Sequence, residues 1–249
     1  MKRDGSWRKL FGCAILSMAL ADAVGCSLMQ SHRFAPLPSE DAEPCQTLPQ
    51  CCRDHVYIFL VNGLDPFNKN DFAGLADYLR SLGFSSTHFG QFWHASSLCS
   101  QIRQIKQEDP EARLVVVGYS CGANVACRMT HAVQSDGIDV DLLVYLGADM
   151  MWNSQFQRPA NALHILNVRA EGCYLNALGL YNGCDLDGAE NYFIKVSHGA
   201  LPTNHEAVTL LTKDLAAVAA AVTATGPSGA AEVQSDEEAV QKAGGADDR

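Results

Sequence analysis

Positively charged residues are scarce in this 249-residue chain, which has 18 Lys and Arg against 28 Asp and Glu and a formal net charge of −10. No cluster of basic residues is present that could bind a phosphate backbone, which argues against a nucleic-acid partner. Paired Cys-x-x-Cys segments are absent, and the adjacent Cys51 and Cys52 do not have the spacing of zinc ligands. Zinc is therefore only a weak alternative, and we expect no metal and no cofactor.

The N-terminus lacks an apolar run long enough to span a bilayer. Residues 10–21 form a short apolar stretch behind four basic residues, which is the layout of a secretory signal peptide. The stretch ends in a segment that resembles the lipobox of bacterial lipoproteins, with Ala23 where leucine is usual. The resemblance implies lipidation of Cys26 and attachment to the periplasmic or extracellular side of a membrane. An ordinary signal peptide and an uncleaved anchor are the alternatives.

Cysteine, in contrast, is abundant, with ten residues in the chain. This number fits export to an oxidising compartment better than a cytosol. Removal of Cys13 with the signal and lipidation of Cys26 leave eight cysteines, whose pairing the sequence does not reveal. Cys173 and Cys184 flank a short loop rich in Gly and Asn, and they are our first candidates for a disulfide.

The two ends of the chain differ in composition from its middle. Residues 27–53 contain four prolines and few apolar side chains, which predicts a spacer between membrane and body. Residues 224–249 are rich in Gly, Ala and acids and lack aromatic residues, which predicts disorder. The length allows one or two domains, and we expect a single folded domain over residues 54–223.

Strand and helix patterns alternate through this middle segment. Val56–Asn62 is a continuous apolar run, typical of a strand that is buried on both faces. Helical apolar spacing follows it, and the alternation continues to an Ala- and Leu-rich last helix over Glu206–Val222. Repeated β-α units predict an α/β fold in which helices cover both faces of a mostly parallel sheet. Ligands of such sheets bind at the carboxyl ends of the strands.

One strand-to-helix junction has the sequence Gly-Tyr-Ser-Cys-Gly around Ser120. A nucleophilic serine must project clear of the fold, and a tight turn that achieves this needs small residues on either side. The pattern resembles the nucleophile elbow of the α/β-hydrolase superfamily, specifically lipase- or esterase-like serine hydrolases. The resemblance covers Val56–Val222 and implies that Ser120 is the nucleophile of a serine hydrolase.

An earlier turn, Asn62-Gly63-Leu64-Asp65-Pro66, follows the first predicted strand. In the superfamily a turn here supplies one main-chain N–H of the oxyanion hole, and the residue after the nucleophile supplies the other. The resemblance therefore assigns these donors to Leu64 and Cys121. Asn62 stands where many relatives have histidine, and the alternative is a turn without a chemical role.

The order of the family's triad is nucleophile, acid, histidine. His131 lies in the helix behind the elbow and His164 within a strand, so we interpret both as bystanders. His198 directly follows the last predicted strand and precedes a Gly-Ala-Leu-Pro loop, and it is our preferred catalytic base. His205 is the alternative, but it adjoins Asn204, a predicted helix N-cap.

The triad acid is the least determined part of the site. Asp149 closes the strand after the elbow helix and is our preferred acid, and Glu171, after the next strand, is the alternative. Asp185 and Asp187 lie in the loop before the last strand. Any of the four could instead be a solvated loop carboxylate.

Together these residues predict an exported serine esterase or lipase that acts on a small-molecule or lipid ester through an acyl-enzyme. About a dozen residues follow Asp149 before the next strand, so we expect a small cap or none. Nearby aromatic residues could accept an acyl chain or could be core: Phe67, Phe92, Trp93 and Trp152. The competing hypotheses are a non-catalytic member of the fold that binds a partner at the cell envelope, and an acyltransferase.

Overall fold

The computed structural model describes residues 31–148, 158–171 and 185–225. Several predictions lie outside these residues: the signal peptide with Cys26, the cap segment, the Cys173–Cys184 disulfide and the disordered tail. They stay predictions. None of the helices in the described residues has the length and apolarity to cross a membrane.

The strands of the described residues form one sheet in which every neighbouring pair is parallel. Its order is β2-β1-β3-β4-β5-β6. The central strands β1, β3 and β4 are almost completely buried, as expected for a sheet that is covered on both faces. The predicted α/β fold with its parallel sheet is therefore confirmed. The strands are β1 Val56–Asn62, β2 Thr87–Gln91, β3 Arg113–Tyr119, β4 Val140–Leu146, β5 Ala162–Glu171 and β6 Glu190–Ser197.

Helices pack on both faces of this sheet. The side chains of β1 alternate between two apolar clusters, with Ile58 in one and Phe59 in the other. The first cluster includes residues of α1, α3 and α6, and the second includes residues of α4 and α5. The helices are α1 Ser39–Gln46, α2 Gln50–Asp54, α3 Phe72–Ser81, α4 Ala95–Glu108, α5 Cys121–Gln134 and α6 His205–Thr225, with 3₁₀ turns at Phe92–His94 and His198–Thr203.

The predicted spacer is wrong for the residues that form α1 and α2. These helices pack onto the body, where Cys45 and Cys52 are completely or almost completely buried. The Cys45 thiol donates a hydrogen bond to a carbonyl oxygen of α6 at 3.2 Å. Pro38 and Pro49, which favoured a spacer, are the N-cap residues of the two helices, and a proline at a helix start costs no internal hydrogen bond. The folded domain therefore begins well before residue 54.

The structure shows no disulfide among the described cysteines. Cys51 and Cys52 have sulfur atoms 4.0 Å apart without a bond between them. Burial raises the pKa of Cys45 to about 11, so that thiol is protonated and unreactive. The expectation of disulfides is not met among the six described cysteines, Cys45, Cys51, Cys52, Cys99, Cys121 and Cys127.

Candidate active site

Ser120 lies at the predicted junction, between the end of β3 and the start of α5. Its backbone has φ 55° and ψ −129°, a conformation that is strained for any residue with a side chain. Two main-chain hydrogen bonds of 2.9 Å hold it there: Ser120 N–H donates to the Leu146 carbonyl, and Ala123 N–H donates to the Ser120 carbonyl. The turn is therefore tied both to β4 and to its own helix.

The two glycines of the elbow are required by close backbone contacts. A Cβ on Gly118 would lie 2.5 Å from the Ala123 Cα, and a Cβ on Gly122 would collide with the Val61 carbonyl of β1. The end of β3, the start of α5 and the neighbouring strand thus touch through their main chains. This explains why small residues flank the serine.

The predicted oxyanion turn passes directly beside the elbow. A Cβ on Gly63 would lie 2.9 Å from the Ser120 Cβ and 3.4 Å from the Cys121 nitrogen. Asn62 is completely buried and shapes the turn, because its Oδ1 accepts from Gly63 N–H at 2.9 Å and its Nδ2 donates to the Asp65 carbonyl at 3.1 Å. Leu64 is the residue between these two anchors. The turn that contains Leu64 therefore passes beside Ser120 and Cys121, and the two oxyanion donors stay predictions.

Asp65 is a buried residue of this turn to which the sequence analysis assigned no role. Its Oδ2 accepts from Asn70 N–H at 2.8 Å, while its buried Oδ1 has no hydrogen-bond partner in the described part of the chain. Burial raises the pKa of Tyr119, and the negative charge of Asp65 adds to the effect. Its position in an Asn-Gly-Leu-Asp-Pro turn, where Asp often bonds to nearby backbone, was the available signal.

His198 begins the 3₁₀ turn directly after β6. Its ring stacks on Tyr119 with centroids 5.2 Å apart and planes inclined by 27°, and its carbonyl accepts a 3.1 Å hydrogen bond from the Tyr119 hydroxyl. The ring also lies against Gly147, where a Cβ would lie 2.8 Å from the His198 Nδ1. Gly147 follows Leu146, whose carbonyl binds the Ser120 amide. The same ends of β3 and β4 therefore hold the serine and the histidine.

Burial lowers the pKa of His198 to about 4. The imidazole is therefore neutral near pH 7, as a general base must be before it accepts a proton. Gly147 lies against the His198 Nδ1, and Asp149 follows Gly147 by two residues in the sequence. Asp149 itself lies outside the described residues. Its assignment as the triad acid stays a prediction.

The other three candidate acids lie within the described residues, and one of them, Asp187, is exposed in the loop before β6. The backbone of Glu171 ends β5 and pairs in register with Ser197, the residue before His198, but its side chain lies outside the description. Asp185 is 69% exposed and forms a 2.7 Å ion pair with Arg169. Asp185 is thus engaged in a surface ion pair, and Glu171 stays an untested alternative for the triad acid.

His205, the alternative base, lies in the first turn of α6. Its side chain is 57% exposed, and its Nε2 is 2.9 Å from Asp41 Oδ2 on α1. The Asn204 Oδ1 accepts a 3.1 Å hydrogen bond from Ala207 N–H, as expected for a helix N-cap. These contacts hold His205 at the surface and favour His198 as the base.

Remote likenesses accompany this geometry. The structure is similar to the NocB thioesterase domain from the nocardicin cluster, with 13% identity, coverage of 68% of this chain and 94% of that one, and a TM-score of 0.41. It is similar to human thioesterase 2, with 8% identity, coverage of 67% and 97%, and a TM-score of 0.42. The esterase domain from a Rhodothermus marinus protein has 15% identity, coverage of 68% and 88%, and a TM-score of 0.40. No protein-family model and no curated protein matches the chain.

The aromatic residues near the site fall into two groups. Phe67, after β1, is 79% exposed, and Trp93, after β2, is 55% exposed. Phe92 is partly buried, packs against the core and contacts the Trp93 ring edge-on at 4.9 Å. Trp152 lies outside the described residues. Because β1 and β2 are parallel neighbours, the two exposed rings lie at the carboxyl edge of the sheet, as Ser120 does.

Proposed function

We propose that this protein is a serine hydrolase that cleaves carboxylic esters through an acyl-enzyme intermediate. The observation that carries the proposal is the positive φ of Ser120 at the carboxyl end of a buried parallel strand. Such strain persists only where the surrounding contacts hold it, and it is concentrated at functional sites. A structural turn at this point would adopt a relaxed conformation or use a glycine.

In the proposed mechanism His198 takes the Ser120 proton as the hydroxyl attacks the ester carbonyl. The developing oxyanion is stabilised by the main-chain N–H groups of Leu64 and Cys121. Cys121 begins α5, and the first N–H groups of a helix point out of its end with partial positive charge. The protonated His198 then gives its proton to the departing alcohol, and the acyl group stays on Ser120. Water attacks this acyl-enzyme as the neutral His198 takes its proton, and the free acid and Ser120 are released.

Labelling with a fluorophosphonate probe tests the activated serine. We expect the wild type to label and the Ser120→Ala and His198→Ala variants to lose labelling. Ser135→Ala is the matched control, because Ser135 lies at the other end of the same helix and is exposed. A folded wild type that does not label contradicts the proposal and favours a non-catalytic binding protein.

An ester substrate with and without an added alcohol separates a hydrolase from an acyltransferase. Free acid as the main product supports hydrolysis. A transesterified product that increases with alcohol at the expense of the acid indicates an acyltransferase with the same acyl-enzyme. The exposed Phe67 and Trp93 support esters with an apolar acyl chain as the first substrates.

We further propose that the enzyme is exported and tethered to the cell envelope through a lipid on Cys26. The support is the basic and apolar N-terminal pattern followed by the lipobox-like segment. Metabolic labelling with a clickable fatty acid tests this, with Cys26→Ser expected to lose the label and Cys13→Ser to keep it. Equal labelling of both variants would contradict it.

A further inference from the structure

A second cluster of chemically active side chains lies far along the strands from the elbow. His164 Nε2 is 3.5 Å from Glu190 Oε1 and 3.4 Å from Asp214 Oδ2. All three donor atoms lie within 4.8 Å of one another. His164 is the third residue of β5 and Glu190 the first of β6, so the cluster is near the amino ends of these strands.

The sheet register and helix packing bring these three residues together. Glu190 pairs with Leu166 of the neighbouring strand, and His164 lies two residues before Leu166. Because side chains alternate along a strand, His164, Leu166 and Glu190 share one face of the sheet. Helix α6 packs on this face through buried Leu211 and Leu215. Asp214 belongs to the same helix and lies between these two leucines in the sequence.

The distances from the His164 nitrogen to the two carboxylate oxygens are longer than the distances in hydrogen-bonded histidine–carboxylate pairs. His55 Nδ1 is 2.7 Å from Asp109, and the pair of His205 with Asp41 spans 2.9 Å, both typical of hydrogen bonds. The two His164 separations are longer than that range. Ligands bound tetrahedrally at about 2.0–2.2 Å lie about 3.3–3.6 Å apart, so the observed distances fit ligands around an ion.

The burial and the charge of Asp214 also support a bound cation. Its side chain is only 13% exposed, and its Oδ2 has no hydrogen-bond partner in the described part of the chain. A divalent cation would neutralise the two carboxylates and bind to Asp214 Oδ2.

The second oxygen of Glu190 is held separately. Tyr192 donates a hydrogen bond to Glu190 Oε2 at 3.2 Å, which leaves Oε1 directed at His164. Outer contacts of this kind orient carboxylate ligands in metal sites. His164 and Glu190 are 39% and 48% exposed, so water has access to the remaining coordination positions.

We propose that His164, Glu190 and Asp214 bind a divalent transition-metal cation of the zinc class, with water completing its coordination. The two carboxylates neutralise the charge of a divalent ion. The imidazole nitrogen favours such a metal over Mg²⁺ or Ca²⁺, which prefer oxygen ligands alone. The ion would link β5, β6 and α6. Strand β6 and helix α6 flank the 3₁₀ turn that carries His198. Its role is therefore to stabilise the elements that hold the proposed base.

Titration of the chelator-treated full-length protein with Co²⁺ tests the site. Visible absorption reports the geometry of bound cobalt, and a thiolate charge-transfer band would reveal binding to the free cysteines instead. We expect one equivalent to bind without that band. His164→Ala and Asp214→Asn should weaken binding by more than about tenfold. His205→Ala, which removes a hydrogen-bonded histidine, should leave it unchanged.

Equal affinity in wild type and His164→Ala, absence of binding, or thiolate bands alone would overturn the proposal. Glu190→Gln provides a second variant, since this half-exposed side chain can change without disturbing the core. Circular dichroism verifies the fold of each variant. Fluorophosphonate labelling is measured in parallel on metal-free protein, so failure of the metal site and failure of the proposed hydrolase are distinguished.

Discussion

The two ends of the parallel sheet carry two different kinds of candidate site. At the carboxyl end the decisive features are backbone features: a strained Ser120, a turn beside it at Gly63 and a histidine against Gly147. Near the amino ends of β5 and β6 the cluster around His164 consists only of side chains from three separate elements. A site built on tight main-chain turns leaves local patterns of Gly and Ser in the sequence. A site built across elements leaves none.

The largest expected effect that tests this contrast is at Asn62. Asn62→Ala removes both side-chain hydrogen bonds that shape the oxyanion turn, so kcat/KM for an ester should fall by about 10²–10³. Asn161→Ala is the control, because that buried amide also makes two side-chain hydrogen bonds, both donated by its Nδ2 to carbonyls remote from Ser120. It should lower stability and leave kcat nearly unchanged. Equal losses of activity in both variants would contradict the role of Asn62.

The contact between Gly147 and the base predicts the next effect. Gly147→Ala places a methyl group against the His198 ring, and we expect kcat to fall by about 10²-fold because the base is displaced. Gly137→Ala is matched in backbone strain, since Gly137 has φ +70°, but no atom lies within 4 Å of its added Cβ. It should cost about 1 kcal/mol of stability and keep activity. Unchanged kcat in Gly147→Ala would show that the ring does not work from this position.

The pKa of His198 predicts a pH dependence at the carboxyl end. Its folded value of about 4 lies below its ordinary value of 6.5, so the unfolded chain binds more protons between these values. The stabilising contribution is therefore complete above about pH 6.5 and is lost as pH falls toward 4. Urea unfolding across this window should show the loss in the wild type and a flatter profile in His198→Gln. The acid limb of kcat/KM should lie near pH 4, and a limb near 6.5 would contradict the burial of the base.

The smallest effect is expected at the metal-free cluster. Because burial raises the pKa of Asp214, its charged form costs stability, and Asp214→Asn should raise the free energy of unfolding in the presence of a chelator. Asp136→Asn is the control: it removes a carboxylate that pairs with Arg103 at the surface, and it should give no gain. Added Zn²⁺ should stabilise the wild type and not Asp214→Asn. A loss of stability in metal-free Asp214→Asn would contradict the cost assigned to this carboxylate.

Sequence reasoning succeeded where one local pattern has one physical meaning. The apolar run Val56–Asn62 forms a buried strand, and Ser120 lies in a tight strand-to-helix turn between two glycines, as the local patterns of apolar residues and glycines predicted. It was wrong about α1 and α2, whose prolines indicated an extended spacer. Pro38 and Pro49 begin the two helices instead, and Pro44 lies within α1. Ala42 and Cys45 of α1 are buried in the apolar cluster that includes residues of α6.

The alternation of strands and helices along the chain, the tight turn at Ser120 and the position of His198 after the last strand were determined by the sequence itself, since hydrophobic periodicity and glycine placement act over short distances. Only the tertiary structure decided that Gly147 lies against the His198 ring, that Asn62 shapes the turn beside Ser120, and that His164 lies beside carboxylates of β6 and α6. The physical reason is that strand register and helix packing set distances between residues far apart in the chain. A single sequence does not encode those distances in any local pattern.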